Sequence, residues 1–560
     1  MNTLLLLHMS LLSSPPAHAC GGFFCNNLNR VDQAGESIIF GVDEEAAQVT
    51  MHVQVAYEGE ADEFSWVVPV RGVPEVFLST STLFAELPRM ATPGYRTEID
   101  NGVCSLREDS GWAPDYGSDS GWGLGDTGYT GGTYTGGSAG DDVEVLAEAT
   151  VGAYETVTLA AEDADVLVAW LQDNGYDVPD TLSTALAPYL GAGLNLLALR
   201  LNKNGDAGYL SPLGLTYAGT RPAVPLTLTA VAAQPDMPLD VYVFGNSRAV
   251  PTSYLHVDLN PMAIDYWSGG DNLDDVIRRA ADEAGGRAFA TELVMPRGEL
   301  DQFLWRRTMF DPEPLRTISD PERWIESLDV YGFEATNEVL QVLRTHLPVP
   351  RDLAHLETSV YDCPSCYGDP FAGIDFDPSA AVDDLITFEV EPREAAQDML
   401  LDHSTLTRLR SAMSPDEMTV DPVFSIATSA PEFGDLSLLE VNRQCETSKM
   451  FANEAPQQLV YPFDVTITIP SDKELDTLGQ TPFEYVQTLL DSTALLIEQF
   501  DDEGGSTTVV DNTFTAGSAL PEPSSSRGGC GCTTSVSPLG GATGVMGLVL
   551  ALAGLRRRRR

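Results

Sequence analysis

Val49-Thr-Met-His-Val-Gln-Val-Ala-Tyr57 sets the reading of the fold. Val49, Met51, Val53, Val55 and Tyr57 fall on one side, and Thr50, His52 and Gln54 on the other. That period of two buries one face of a β-strand. Phe64-Ser-Trp-Val-Val68 reads as a second strand, ended by Pro69 and Pro74. Moving outward, strands are predicted at 143–150, 154–160, 194–201, 213–218, 224–230, 239–244 and 287–294. Helices interrupt them at 164–174, with Asp163 as N-cap and Gly175 just past the end, at 181–190, and at 273–284 before Gly285-Gly286.

Beyond residue 300 the spacing of apolar residues shifts towards 3.6. It predicts helices at 301–308, 321–328, 336–347, 393–402, 405–413 and 482–500, with one strand at 458–469. The expected class is α+β, with a strand-rich N-terminal half, a more helical C-terminal half and a single C-terminal transmembrane helix. The expected division is a strand-rich domain over 20–295 and a helix-rich one over 296–517. Residues 109–142 are Gly, Ser, Thr, Asp, Tyr and Trp with almost no aliphatic residue, which reads as a disordered insertion.

Both ends carry address signals. Residues 1–19 have an apolar stretch from Leu4 to Leu12, then Pro15-Pro16 and Ala17-His18-Ala19. This predicts a signal peptide cut by signal peptidase between Ala19 and Cys20. After a Pro/Ser/Gly/Cys spacer at 518–532, residues 533–560 hold an apolar run, 538–555, and then Arg556 to Arg560. Such a run is at the short limit for a membrane helix, and the arginines would stay in the cytoplasm. Everything between is then expected outside.

The chain has 560 residues and a formal charge of −52, with lysine only at 203, 449 and 473. That acidity argues against nucleic acid and against docking on an anionic membrane surface. Eight cysteines are present. Cys530 and Cys532, one residue apart, suit processing or lipid attachment. The other six, Cys20, Cys25, Cys104, Cys363, Cys366 and Cys445, allow up to three disulfides in an exported chain. The expected pairing joins near neighbours and ties Cys104 to Cys445.

Two resemblances follow from motifs. Gly528 to Arg560, with its Gly/Cys motif, short helix and arginine cluster, resembles a MYXO-CTERM sorting tag. That implies a myxosortase-like membrane protease as a partner and retention at the cell surface. Cys20-Gly-Gly-Phe-Phe-Cys25, Phe64-Ser-Trp-Val-Val-Pro-Val70, Leu83-Phe84 and Thr92-Pro93 resemble the bacterial family catalogued as domain of unknown function 2330. Val151-Gly-Ala-Tyr-Glu155, Trp170-Leu171, Asn174-Gly-Tyr176, Gly286-Arg-Ala-Phe-Ala-Thr-Glu292, Leu406-Thr-Arg-Leu-Arg410 and Met418-Thr-Val-Asp-Pro-Val-Phe424 extend it. The resemblance brings no activity with it.

Candidate chemistry is sparse. Cys363-Pro-Ser-Cys366 has redox spacing but sits in a loop context, which favours a structural disulfide over a low-pKa thiol. Zinc there would need two more ligands, and only His355 is near. Gly245-Asn-Ser-Arg-Ala249 lacks the glycine and following helix of a nucleophile elbow, so Ser247 with His256 is not expected to form a hydrolase pair. His346, His355 and His403 read as helix-surface residues. Asp375, Asp377, Asp383 and Asp384 read as a solvated acidic face, with calcium as the alternative. The sequence therefore predicts a non-catalytic structural or binding component of the envelope exterior, with no cofactor, no metal and no named ligand. An exported thiol–disulfide enzyme and a calcium-dependent adhesin stand as alternatives.

Overall fold

The computed structural model describes residues 23–25, 32–58, 64–105, 143–201, 211–300 and 310–513, apart from positions 153, 177, 180, 232, 334, 335 and 464. The signal segment, the 109–142 insertion, the 301–308 helix, the spacer, the C-terminal helix and Cys20, Cys530 and Cys532 lie outside the described residues. Among the described residues no helix is long and apolar enough to cross a membrane.

The architecture is mixed α+β, built on a ten-stranded sheet. In spatial order its strands are Ser506–Asp511, Ala494–Phe500, Leu255–Leu259, Ala288–Pro296, Thr405–Met413, Met237–Gly245, Asp32–Asp43, Gln48–Glu58, Leu213–Ala218 and Glu75–Leu78. Two neighbouring pairs are parallel, Leu255–Leu259 with Ala288–Pro296 and Met237–Gly245 with Asp32–Asp43, and the rest are antiparallel. The residue-296 boundary falls between two adjacent strands of this sheet, and the described residues form one compact unit.

A five-stranded sheet packs over part of it. Its strands run in the order Phe23–Cys25, Phe64–Val70, Asn195–Leu201, Tyr154–Ala161, Val143–Val151. Alternation along Trp66-Val67-Val68 decides what each side covers. Trp66 and Val68 join Ile38, Phe40, Val241 and Leu409 of the large sheet in one core, while Val67 joins the helices Ala164–Asp173 and Leu182–Gly191 in another. Asp163 caps the first of those helices by accepting from Asp165 and Val166 backbone N–H groups. On the opposite face of the large sheet, Ile39, Tyr242, Phe244 and Leu406 pack on the helices Ser81–Met90 and Glu391–Asp402. Residues 312–390 form a helical cluster around the fully buried Trp324.

Several predicted elements differ, each for a local reason. Residues 405–413 are a strand, because Thr405-Leu-Thr-Arg-Leu-Arg-Ser-Ala-Met413 also alternates and the sheet neutralises its arginines. Residues 482–500 split into the helix Pro482–Gln487 and the strand Ala494–Phe500. The 458–469 strand is a hairpin, Gln457–Val460 and Thr466–Ile469, turning where Phe463 takes φ 60°. Residues 224–230 hold the one-turn helix Leu226–Thr229, begun at Pro225, whose fixed φ suits a helix start. His52, expected on a polar face, is fully buried because Ser79 and the Phe77 ring cover it, while Thr50 and Gln54 on the same face stay half-buried.

Candidate functional site

The centre of the large sheet gathers buried charge. Arg408 lies opposite Tyr242, and Arg410 opposite Asp240 and Ala290, so both arginines share the face of Tyr242. The 288–296 strand reaches that face by a register slip. Thr291 pairs with Leu409 and Leu293 with Arg408, which leaves Glu292 as the extra residue of a β-bulge. The bulge turns Glu292, 1% exposed, towards Arg408, and the two form an ion pair at 3.1 Å. Arg410 Nε is 3.8 Å from the same carboxylate.

Above this group opens a cleft of about 260 Å³. Thr92, Pro93 and Tyr95, which follow the Ser81–Met90 helix, form one wall. The Gly269–Asp274 segment that starts the Leu273–Glu283 helix forms the other. Gly270 lets the walls meet. Its φ is +87°, and a Cβ there would stand 2.6 Å from the Tyr95 ring.

Accounting for hydrogen bonds shows what the cleft offers. Arg408 donates to Thr92 Oγ1 at 2.8 Å, to Ala91 O and to Asp240, and its guanidinium lies 5.3 Å from the Tyr242 ring centre. Arg410 donates to Asp240 at 2.8 Å and to Asp274 at 2.7 Å. The arginine donors are therefore largely taken. The Arg408–Glu292 contact lacks hydrogen-bond alignment, so both Glu292 oxygens, like the buried Tyr95 hydroxyl, have no hydrogen-bond partner among the described residues.

Burial raises the Glu292 carboxyl against the opposing pull of Arg408 and Arg410. Burial also raises the Tyr95 hydroxyl, and Glu292 adds to it. Around Arg410, burial works against the charge, but Asp240, Glu292 and Asp274 outweigh it and hold the guanidinium charged. The cleft thus lies over two buried groups with unused hydrogen-bonding capacity, Glu292 and Tyr95, with the exposed carboxylate of Asp271 at its edge. It suits a small molecule rich in hydrogen-bond donors.

The residues singled out from the sequence are dispersed. Cys363 and Cys366 form a disulfide, and Cys104 and Cys445 form another with 5.4 Å between Cα atoms. Cys363 follows the six-residue helix Glu357–Asp362 and Cys366 lies within the 3₁₀ turn Pro364–Tyr367, too short to depress a thiol by its dipole. Asp377 caps the Pro378–Leu385 helix, Asp383 pairs with Arg316 and Asp384 with His346, so three of the four aspartates have separate duties. His355 is exposed, as expected of a helix surface, but His403 is buried and bonded to Met399 O. Ser247 donates to Ala427 O, and it is Arg248 that meets His256. Among the described residues, one group could hold a metal ion: His256, Asp258 and Glu498.

Glu292, Arg408, Arg410 and Tyr95 do not stand out as a site from sequence. Reading 405–413 as a helix spreads its arginines around a cylinder. A two-residue alternation, Leu406, Arg408, Arg410 on one side, would have placed them together.

The family model described as an uncharacterized protein conserved in bacteria, DUF2330, matches residues 14–296, half of the chain. Thr92, Tyr95, Gly270 and Glu292 lie within that span. Arg408, Arg410 and the late 406–424 block lie outside it. No curated protein and no solved structure matches the chain.

Proposed function

The chain belongs to the DUF2330 family of bacterial proteins, and we propose that it is a non-catalytic binding component of the cell exterior, taking a small donor-rich molecule in the Glu292 cleft. One observation carries this reading. A buried carboxylate and a buried phenol line a cleft with their hydrogen-bonding capacity unused, beside arginines whose donors, Arg408 Nε apart, are largely taken. Leaving such groups without hydrogen bonds costs about 1–3 kcal/mol each, and a ligand bearing hydroxyl or ammonium groups would reduce that cost.

The exterior location rests on the Ala17-His-Ala19 cleavage pattern, the tail of Cys530-Gly-Cys532, apolar run and five arginines, and the two disulfides, which persist in oxidising surroundings. Signal peptidase and a myxosortase-like protease are the processing partners on this reading.

The test is a thermal-shift screen of purified protein against polyols, amines and amino acids. A hit should raise Tm in a concentration-dependent way, and Glu292→Gln with Tyr95→Phe should abolish the shift. A hit that survives both substitutions would place binding elsewhere. For location, an impermeant protease added to intact cells should cleave the protein without lysis.

A further inference from the structure

We propose that His256 Nδ1, Asp258 and Glu498 form a binding site for a first-row divalent metal ion. The site lies on the sheet face opposite the cleft. Thr291 and Glu292 are consecutive, yet Thr291 contacts His256 while Glu292 contacts Arg408.

Strand register assembles the three ligands. His256 and Glu498 are direct partners across the antiparallel pair of Leu255–Leu259 and Ala494–Phe500. Asp258, two residues on, shares the face of His256. The donor atoms lie within 4.8 Å of one another, and His256 Nδ1 is 3.8 Å from Asp258 Oδ1. A tetrahedron with ~2.1 Å bonds needs edges of ~3.4 Å, so a small closure of the carboxylates suffices.

The donors are unspent. His256 is 1% exposed, and its Nδ1 has no hydrogen-bond partner among the described residues. Neither carboxylate receives a hydrogen bond or a salt bridge from Arg248 within 4.0 Å among those residues. Arg248 instead donates to Pro431 O and Thr291 Oγ1 and lies over the rings of Phe433 and Phe500. A structural ion pair therefore does not account for two carboxylates and an imidazole facing one point.

The outer contacts fit ligation. His256 Nε2 is 2.8 Å from Thr291 Oγ1 and 3.1 Å from Arg248 Nη2. With Nδ1 on a metal, the proton sits on Nε2 and is donated to Thr291 Oγ1, while the Arg248 Nη2 contact, which needs Nε2 as its acceptor, opens and leaves Arg248 on Thr291 Oγ1. Such a partner fixes the ring and its tautomer. One ring nitrogen and two carboxylates suit zinc, manganese or cobalt, and are too few oxygens for calcium. Asp258 is the half-buried member, which gives the ion a route in and room for water.

The test is titration of EDTA-treated, desalted full-length protein with Co(II). A visible d–d band should saturate at one equivalent, be displaced by Zn(II), and weaken at least about tenfold in affinity in His256→Gln and Glu498→Gln. Asp375→Asn, an exposed carboxylate, should change nothing. Should the variants fail to fold, zinc-dependent movement of one Nδ1 resonance in ¹⁵N-histidine-labelled wild type would support the site. Absence of a one-to-one band in folded wild type, binding unaffected in both folded variants, or no histidine resonance that moves overturns it.

Discussion

Removing the Cys104–Cys445 bond should cost far more stability than removing Cys363–Cys366, although both have the same 5.4 Å between Cα atoms. The reason lies in the unfolded chain. The first bond closes a separation of 341 residues and the second a separation of 3. The chain-entropy relation gives about 6 kcal/mol for the long loop and about 2 kcal/mol for the short one at 25 °C. In the folded state Cys104 lies just after Arg96–Asp100, which pairs in parallel with Leu438–Arg443, and Ser105 bridges to Phe451. Those backbone bonds persist without the sulfurs, so the loss should fall on stability and leave the fold in place. The assay is equilibrium urea unfolding of Cys104→Ser/Cys445→Ser and Cys363→Ser/Cys366→Ser against wild type, all with native-like circular dichroism. The long-loop variant should show the larger fall in midpoint at similar slope. Equal losses, or a larger loss from Cys363/Cys366, would refute the entropic argument.

Three further outcomes follow from buried groups. Burial lifts Glu389 to about 7 from 4.5, with Arg393 opposing, so its contribution is full below the unfolded value and is lost as pH rises through 7. That is of order 3 kcal/mol; Glu389→Gln should gain on wild type in Tm between pH 5 and pH 8, and parallel profiles would contradict it. Arg408→Met leaves the Glu292 carboxylate buried beside Arg410 alone and should cost ~3–5 kcal/mol by chemical unfolding, with Glu292→Gln in the same chain recovering part of the loss. Gly270→Ala meets both a left-handed φ and the Tyr95 ring, whereas Gly269→Ala, at φ +81°, meets open space. The first should cost ~1–3 kcal/mol more than the second in the same unfolding assay.

Most strands of the five-stranded sheet were legible because apolar residues dominate them and one misread position changes little. The Ala164–Asp173 helix was legible from Asp163 and Gly175, whose roles are local and written in residue type. Two of the segments that carry the candidate sites were not. Thr405–Met413 and Ala494–Phe500 both place charge on an interior face, Arg408 and Arg410 in one and Glu498 in the other. Hydrophobic periodicity assumes that charge marks solvent, so it assigned these residues to the outside of helices. What makes them tolerable indoors is a partner far along the chain: Asp240 for the arginines, Glu292 through a bulge that no spacing rule announces.

The sites and the misreadings share one cause. A buried charge is stable only when its environment compensates it, and that compensation is tertiary. Arg408 and Arg410 are compensated by Asp240, Asp274 and Glu292, which leaves the Glu292 oxygens and the Tyr95 hydroxyl short of hydrogen bonds. His256, Asp258 and Glu498 are compensated less well, since Arg248 reaches the His256 ring, Thr291 and Pro431 O but makes no hydrogen bond or salt bridge to either carboxylate among the described residues. The two places therefore ask for opposite things. The cleft has acceptors for a neutral or cationic donor-bearing molecule, and the triad has a deficit of positive charge that a metal ion would fill. A donor-rich ligand should then raise Tm in the Glu498→Gln protein as it does in wild type, and Co(II) should bind the Glu292→Gln protein with unchanged affinity. Cross-inhibition between the two would show that the Thr291–Glu292 bulge couples them, against the independence their opposite faces imply.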